Sequence, residues 1–241
     1  AENIKSRIGS LTRAAIIPHL FGIYANTIDF LSLSIPIIED CSQAFGQSPT
    51  WVINGDIATF SFRWSKCITT GEGGMAISRN PSLVQKMRYL RDGIGSPHRR
   101  IASPLSDLSS ALGLSQLKRY HTFLKRRRHF AFQYKHYLDQ IDPSLLRDLP
   151  FDRSMFYRMP IKIPGGWRGH QSTFWKRGIM VNPGIPELQH TLFHQPDADF
   201  PSSITLLDQT IVLPIFPAMS LKEKEYCLKT ICDVLLSLIT G

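Results

Sequence analysis

Cysteine is scarce in this sequence. Its 241 residues include four cysteines, Cys41, Cys67, Cys227 and Cys232, and none of them forms the Cys-x-x-Cys pair of a zinc knuckle. In a chain of this size, so few and so widely spaced cysteines predict reduced, mostly buried thiols. We therefore expect a cytoplasmic protein without a bound metal.

The sequence also lacks a long hydrophobic run. Residues 1–15 contain no apolar stretch of the kind that forms a signal peptide. The apolar segment 226–239 is interrupted by Lys229 and Asp233, which argues against a membrane span. It predicts instead an amphipathic helix whose apolar face is formed by Leu228, Ile231, Leu235 and Leu238. We expect no contact with a membrane.

Acidic residues are outnumbered by basic ones. The chain has 19 Asp and Glu residues against 28 Lys and Arg residues, which gives a formal net charge of +9. Such a charge fits binding to nucleic acid or to a membrane surface, but it also fits an enzyme that binds phosphorylated anions. The second interpretation is favoured because no nucleic-acid motif accompanies the charge. The basic run 125–128 predicts a solvated helix face, with a phosphate-binding face as the less favoured alternative.

The first half of the chain alternates between predicted strands and predicted helices. We expect strands at residues 14–20, 35–39, 57–62 and 75–78. We expect helices at residues 26–34 and from Pro81 onward, the first with Ile28, Leu31 and Leu33 facing inward. This alternation is typical of a mainly parallel sheet with covered faces.

The second half has a different pattern. Residues 105–141 have helical periodicity, and beyond Pro143 short apolar runs alternate with Gly and Pro turns. Two further helices fit near residues 170–178 and 220–239. With 43% hydrophobic residues, the chain can fill one large core or two small ones. We predict a sheet-containing domain at residues 1–122 and a smaller α+β domain at residues 123–241.

Three polar groups follow predicted strands of the first domain. Asp40 comes directly after the strand at 35–39, Ser61 is the second-last residue of the strand at 57–62, and Lys66 comes just before a glycine-rich turn. In parallel sheets, ligands bind beyond the carboxyl ends of the strands. An amine for an aldehyde, an acid for a ring nitrogen and a hydroxyl for a phosphate are the parts of a pyridoxal phosphate site.

Each of these groups also has an ordinary structural explanation. Lys66 can be a surface lysine that happens to follow a strand. Asp40 can be a helix N-cap, with or without a role at a cofactor. Ser61 can be a strand serine that is hydrogen-bonded to the backbone. Similarly, His19 ends a predicted strand, where a histidine is more often structural than catalytic.

Two blocks of the sequence carry a specific resemblance. The segment from Pro36 to Ala44 matches the pattern P-V-I-E-D-A-A-Q-A, and Gly55-Asp56 with the segment from Phe60 to Gly74 matches G-D-x-x-x-F-S-F-x-x-x-K-x-x-T-T-G-E-G-G. In this order and spacing they resemble the sugar aminotransferases of the DegT/DnrJ/EryC1/StrS family. The resemblance implies an α/β fold: a partial large domain of PLP fold type I, with a mainly parallel sheet and helices, followed by a smaller α+β C-terminal domain.

The resemblance assigns a role to each matching residue. It implies that Lys66 forms the internal aldimine with pyridoxal phosphate and then transfers a proton between donor and cofactor. It implies that Asp40 pairs with the pyridine nitrogen. Gln43 is expected to bind the ring hydroxyl or to cover one face of the ring, and Ser61 to donate to the phosphate. The residues from Thr69 to Gly74 are expected to shape the turn behind Lys66.

The chain departs from the family pattern at three places. Complete members carry an N-terminal segment that binds the phosphate and stacks on the ring, and this sequence begins after the equivalent position. Ala102 and Pro104 replace an Asn and an Arg of the family's Y-N-Y-R-M motif. The segment from Val181 to Pro183 lacks the His and Tyr of the family's V-H-Y-P motif.

These features support three hypotheses. The first is a homodimeric aminotransferase in polysaccharide or antibiotic sugar biosynthesis, which uses an amino-acid donor, glutamate or glutamine, on a keto-sugar nucleotide. The second is a shortened, catalytically weak or inactive member with a binding role, or one half of a split enzyme whose partner chain supplies the N-terminal segment. The third, supported only by the charge and the basic run 125–128, is a nucleic-acid-binding protein.

Overall fold

The computed structural model describes residues 2–46, 53–94, 104–147, 149–163 and 165–240. The described chain forms two compact units. The first consists of residues 1–122 together with 153–155, and the second consists of residues 123–152 and 156–241.

The first unit is built on a four-stranded sheet in the order β1-β2-β3-β4. Its strands are β1 (Ala15–Pro18), β2 (Ile37–Asp40), β3 (Ile57–Ser61) and β4 (Gly74–Ile77). The first three strands are parallel, and β4 is antiparallel to β3. All four strands lie within one or two residues of their predicted positions, and the sheet is mainly parallel, as the alternation of strands and helices predicts.

The helices of the first unit are α1 (Glu2–Lys5), α2 (Pro81–Asp92) and α3 (Asp107–Leu117). Two short 3-10 helices, Leu20–Gly22 and Thr27–Leu33, connect β1 to β2. The second replaces the helix predicted at 26–34 and corrects its inward face, because Ile28 and Leu31 are 62% and 52% exposed. Leu33 is buried as predicted, and because a 3-10 helix has three residues per turn, Thr27 shares its inward side.

Gly55 and Asp56 fix the start of β3 against β2. The Asp56 carboxylate accepts from the Ile37 N–H at 2.8 Å, and the Asp56 N–H donates to the Ile37 carbonyl at 2.8 Å. A Cβ at position 55 would lie 2.9 Å from that carbonyl oxygen, which is too close for any residue except glycine. The Gly-Asp pair is therefore a clamp between two parallel strands.

Helix α3 has a polar inner side and an apolar outer side. Its less exposed positions include Ser109, Gly113 and Gln116. A Cβ at Gly113 would lie 2.8 Å from the Thr70 side chain, so glycine permits this close approach. Four leucines of the helix are 46% to 82% exposed: Leu108, Leu112, Leu114 and Leu117. This arrangement is the reverse of a helix that packs its apolar face on its own core.

The second unit has a three-stranded antiparallel sheet in the order β5-β7-β6. Its strands are β5 (Met159–Lys162), β6 (Asn182–Pro183) and β7 (Thr210–Leu213). Its helices are α5 (Gln171–Lys176), α6 (Gln189–Leu192), α7 (Pro201–Gln209) and α8 (Leu221–Thr240), and α4 (Tyr120–Ile141) contributes its larger part. Ile231 and Leu235 are fully buried, which confirms the predicted apolar face of the last helix.

The basic run 125–128 is not wholly solvated, which corrects the prediction of a solvated helix face. Arg127 is only 6% exposed, and its Nη1 donates to the carbonyls of Phe156, Tyr157 and Ile215 at 3.1, 3.1 and 2.9 Å. Helical periodicity explains the difference, because position 127 lies on the same face as the buried Leu124 and Phe130.

All four cysteines are free, and Cys41, Cys67 and Cys227 are buried. Burial, together with the negative charges of Glu39 and Asp40, raises the pKa of the Cys41 thiol. A raised pKa disfavours the reactive thiolate. Among the described residues, every helix is too short or too polar to cross a membrane.

Candidate active site

The four predicted site residues lie on connections that follow the carboxyl ends of neighbouring strands. Asp40 is the last residue of β2, and Gln43 follows it in the same connection. Ser61 is the last residue of β3, and Lys66 lies in the turn that leads to β4. Since β2 and β3 pair in parallel, their carboxyl ends share one edge of the sheet.

Asp40 is half-buried and held by the residues that follow it. Its Oδ1 accepts from the Ser42 N–H at 2.9 Å, and its carbonyl accepts from the His19 N–H at 3.0 Å. Residues 41–46 contain no helix, so Asp40 is not a helix N-cap. Its carboxylate closes a local turn instead, and Oδ2 makes no hydrogen bond to a described residue.

Gln43 stabilises an unusual backbone conformation at Phe21. Its Oε1 accepts from the Phe21 N–H at 2.8 Å. Phe21 has φ of 61°, in the left-handed region that a bulky residue rarely adopts, and it is buried. Because Oε1 is engaged, the amide nitrogen of Gln43 is the group with donors to offer a ligand.

The turn after β3 presents Ser61 and Lys66. The Ser61 Oγ accepts from the Arg63 N–H at 3.4 Å, and the Lys66 N–H donates to the Arg63 carbonyl at 2.9 Å. Trp64, at the tip of the turn, is 68% exposed. Lys66 is half-buried, and the next residue, Cys67, is buried and anchors the turn in the unit.

The segment behind Lys66 is fixed by side-chain hydrogen bonds. Gln116 of α3 accepts from the Thr69 N–H at 3.1 Å and donates to the Thr69 carbonyl at 2.8 Å. The Thr70 hydroxyl donates to the Glu72 carbonyl at 2.7 Å. Gly73 has φ of 152°, and a Cβ there would lie 2.6 Å from Thr70 Oγ1. These contacts hold the backbone around Lys66 in one conformation.

A buried His–Glu pair lies beneath this edge of the sheet. Glu39 accepts from the N–H groups of Asn54 and Gly55 at 2.7 and 2.6 Å and from His19 Nε2 at 2.9 Å. The Ala25 N–H donates to His19 Nδ1 at 3.0 Å. A backbone N–H can only donate, so Nδ1 must accept and the proton of His19 lies on Nε2.

These contacts determine the charge of Glu39. Burial raises the pKa of its carboxyl, but the hydrogen bonds from His19, Gly55 and Asn54 outweigh burial and lower the pKa below its ordinary value. The ligand atoms of His19, Glu39 and Cys41 lie within 4.8 Å of one another, which is close enough for a metal site. Both ring nitrogens and both carboxylate oxygens already have hydrogen-bond partners, so we assign the cluster to structure.

The residues around the edge fit pyridoxal phosphate by the chemistry of their donor groups. The pyridine nitrogen needs an acid, the ring hydroxyl and the phosphate need donors, and the aldehyde needs an amine. Asp40, Gln43, Ser61 and Lys66 offer these groups in that order.

Sequence reasoning missed the supports of this site. Gln116, Glu39 and Asp56 were not predicted to have a role, yet each fixes backbone at the sheet edge. One signal was available for Glu39, because it lies two residues after the buried Ile37 on the same face of β2, and an acid on a buried face needs a donor. No local signal identifies Gln116, whose partner Thr69 is 47 residues away.

Two of the departures from the family pattern lie on described residues. Pro104 comes just before α3, and Asn182 and Pro183 form β6 of the second unit. Ala102 lies outside the described residues.

Comparison with known proteins identifies the family. The sequence model of the DegT/DnrJ/EryC1/StrS aminotransferase family matches residues 1–232. The chain is 31% identical to GDP-perosamine synthase of Escherichia coli O157:H7 over 153 residues. This match covers 56% of the chain and 41% of that enzyme, so the chain spans less than half of the relative's length.

Two solved structures show the same fold. Spr1654 from Streptococcus pneumoniae, in its PMP form, matches 98% of this chain and 71% of its own, with a TM-score of 0.85 and 21% identity. PseC of Helicobacter pylori, an aminotransferase involved in the biosynthesis of pseudoaminic acid, matches 97% of this chain and 70% of its own, with a TM-score of 0.82 and 21% identity.

The comparisons confirm the predicted α/β class and the partial PLP fold type I. Members of the family depend on pyridoxal phosphate, which confirms the predicted cofactor at the level of the family. The individual roles of Lys66, Asp40, Gln43 and Ser61 stay predictions. With a family match over residues 1–232, the chain belongs to the DegT/DnrJ/EryC1/StrS aminotransferase family.

Proposed function

We propose that this chain carries the catalytic core of a pyridoxal phosphate-dependent aminotransferase that acts on a keto-sugar nucleotide. The observation that carries the proposal is the position of an acid, a hydroxyl and an amine at the carboxyl ends of β2 and β3. Parallel sheets bind ligands at this edge.

Three residues are proposed to hold the cofactor. The Asp40 carboxylate, oriented by the Ser42 N–H, would keep the ring nitrogen protonated. Ser61 would donate its hydroxyl to the phosphate, because its Oγ accepts from Arg63 and its proton is available. Gln43 would donate from its amide nitrogen to the ring hydroxyl or cover one face of the ring. When bound, pyridoxal phosphate supplies an electron sink for the carbon from which a proton is removed.

Lys66 is proposed as the residue that attaches the cofactor and moves the proton. Its amine would be the attachment point for the aldehyde, and once displaced by a donor it would carry a proton at Nζ. The backbone on both sides is fixed, at Arg63 by the turn hydrogen bond and at Thr69 by Gln116. A fixed backbone limits the positions that the amine can reach.

The substrate proposal follows from the relatives and from charge. The name of GDP-perosamine synthase refers to a GDP-linked amino sugar. A ligand that carries a diphosphate is attracted to a positively charged protein, and the net charge of this chain is +9. Glutamate or glutamine is proposed as the amino donor. The expected setting is the cytoplasmic synthesis of polysaccharide or antibiotic sugars.

A homodimer is part of this proposal. Helix α3 exposes four leucines, and exposed apolar faces of this kind are typical of protein interfaces. Dimers with twofold symmetry are the commonest oligomers.

A second candidate is a weak or inactive member with a binding role, or one half of a split enzyme. Pro104, which replaces a cationic residue of the family motif, and the exposed outer faces of α2 and α3 favour it.

The proposal is tested by adding pyridoxal phosphate to the purified protein and recording its near-ultraviolet and visible spectrum before and after borohydride reduction. We expect a new band that reduction fixes on the Lys66 peptide. Lys66→Ala should abolish the labelled peptide, whereas the exposed control Lys125→Ala should retain it. Labelling of the Lys66→Ala protein at wild-type level would refute the assignment. A folded wild-type protein without any band would favour the second candidate.

A further inference from the structure

Two side chains at the junction of α3 and α4 bind the backbone of the candidate site. Gln116 lies in the last turn of α3, and Tyr120 is the first residue of α4. Gln116 accepts from the Thr69 N–H at 3.1 Å and donates to the Thr69 carbonyl at 2.8 Å. The Tyr120 hydroxyl donates to the Phe45 carbonyl at 2.5 Å. One helical junction therefore binds two segments that lie far apart in the sequence.

Each of these segments carries one part of the candidate site. The acid segment, residues 40–45, contains Asp40, and the amine segment, residues 61–69, contains Lys66. The junction binds each segment at its last residue. In the proposed function one cofactor has to reach both segments, so the distance between them affects how well it is bound.

The two segments also contact each other through aromatic rings. The ring centre of Phe45 lies 5.6 Å from that of Phe60, 5.7 Å from that of Phe62 and 5.4 Å from that of Tyr120, and each pair is arranged edge to face. Aromatic pairs of this geometry are favourable beyond the area that they bury. Since Phe62 belongs to the amine segment, Phe45 transmits a change at Tyr120 from the acid segment to the amine segment.

The end of the acid segment depends on side chains for its main-chain hydrogen bonds. The Phe45 N–H donates to the Met155 sulfur at 3.2 Å, and the Phe45 carbonyl accepts from Tyr120. Tyr120 is 6% exposed and Met155 is fully buried. Loss of the Tyr120 hydroxyl would therefore remove the donor of the Phe45 carbonyl at a site with little access to water.

We propose that Gln116 and Tyr120 are positioning residues that set the distance between the acid segment and the amine segment. They act through Thr69 and Phe45 and not by binding the cofactor. This inference rests on the proposed function for its consequence in binding. A cofactor that contacts Asp40 at its ring nitrogen and Lys66 at its aldehyde carbon binds best when the two segments are held at one distance.

Hydrogen exchange tests the link between the two segments without any cofactor. Exchange is measured by mass spectrometry on peptides of the full chain that cover residues 40–45 and 61–69. Tyr120→Phe removes only the hydroxyl, and we expect about threefold to tenfold faster exchange in both peptides. The control Tyr137→Phe makes the same chemical change at an exposed position of the second unit and should alter neither peptide.

Gln116→Leu tests the same link from the other segment. It removes both hydrogen bonds to Thr69 and should accelerate exchange in the acid segment as well as in the amine segment. This variant decides the question if Tyr120→Phe does not fold. Faster exchange that is confined to the segment each residue contacts would overturn the proposal.

A double-mutant cycle with pyridoxal phosphate tests the consequence for binding. Affinity is measured from the absorption band of the bound cofactor in the wild type, Tyr120→Phe, Asp40→Asn and the double variant. Asp40→Asn keeps an oxygen for the Ser42 N–H but removes the negative charge. We expect Tyr120→Phe to weaken binding about fivefold with Asp40 present and less than about twofold with asparagine there. Equal weakening in both backgrounds would make the role of Tyr120 merely structural and overturn the proposal.

The two experiments separate this inference from the proposed function. A folded wild-type protein that gives no cofactor band contradicts the proposed function. In that case the exchange experiment still decides the inference, because accelerated exchange in both segments supports the link and acceleration in one segment overturns it.

Discussion

Replacing Glu39 with glutamine should destabilise the first unit, and the size of the effect follows from its hydrogen bonds. Glu39 is completely buried and accepts three of them, from Asn54, Gly55 and His19. A glutamine oxygen can still accept from the two backbone groups. Its NH2 group then faces the N–H of His19 Nε2, and two donors meet.

The other tautomer of His19 does not relieve this conflict. A proton on Nδ1 would face the Ala25 N–H, which now donates to that atom at 3.0 Å. Glu39→Gln therefore loses a hydrogen bond to a charged group and leaves a buried donor without an acceptor, which costs about 2 to 3 kcal/mol. A loss of stability of this size makes hydrogen exchange about 30-fold to 150-fold faster at those amides that exchange only when the first unit opens.

Hydrogen exchange followed by mass spectrometry measures this effect on the peptides that contain Ala25, Asn54 and Gly55. Glu187→Gln, at an exposed position of the second unit, is the control and should leave these peptides unchanged. Exchange in Glu39→Gln at the wild-type rate would refute the hydrogen-bond assignment.

The same pair of proteins should differ in pH dependence. The pKa of Glu39 is lowered in the folded state from its ordinary value of 4.5. Its contribution to stability is therefore complete above pH 4.5 and is lost as the pH falls through the folded-state pKa. Glutamine does not titrate, so the difference between the two proteins should shrink as the pH drops below about 4.5. A difference that stays constant into this range would contradict the ionised state of Glu39.

Two further substitutions test the clamp between β2 and β3 and the buried arginine. Gly55→Ala should cost about 1 to 3 kcal/mol, because its Cβ meets a backbone oxygen that cannot move aside, and the midpoint of urea unfolding checks this. Arg127→Met should cost about 2 to 4 kcal/mol through three carbonyls left without their donor, whereas the exposed neighbour Arg126→Met should change stability by less than about 0.5 kcal/mol. The fluorescence of Trp167 and Trp175, both in the second unit, reports the unfolding of the Arg127→Met and Arg126→Met proteins. Equal unfolding midpoints for these two variants would contradict the role of Arg127.

The strands of the first unit were predictable because each is a short apolar run bounded by turn residues. The predicted inward positions of Ile28 and Leu31 were wrong, although Leu33 is buried as predicted, because the choice between α and 3-10 periodicity depends on packing that the local sequence does not specify. Burial of Arg127 was missed for a similar reason, since its acceptors are carbonyls up to 88 residues away. A run of four cations suggests solvent, and only the tertiary structure shows which one points inward.

The positions of the candidate site residues followed from motif order and from the rule that ligands bind at strand ends. The residues that support the site did not, because Gln116, Glu39 and Asp56 act through backbone groups. Nearly every residue has a backbone N–H and a carbonyl, so the type of the bound residue does not reveal the contact. Secondary structure and motif positions were therefore accessible from the sequence, whereas the hydrogen bonds that fix the site required the fold.

Residues 153–155 belong to the first unit, although the preceding residues 123–152 belong to the second. This chain order determines when the first unit can fold during synthesis. Ser154 forms a β-bridge with Ile23, and Met155 donates its N–H to the Gly22 carbonyl and accepts from the Phe45 N–H through its sulfur. A ribosome that has released only residues 1–122 has not yet supplied these partners. The first unit can reach its final structure only after residue 155 has emerged, by which time the long helix α4 has already been synthesised.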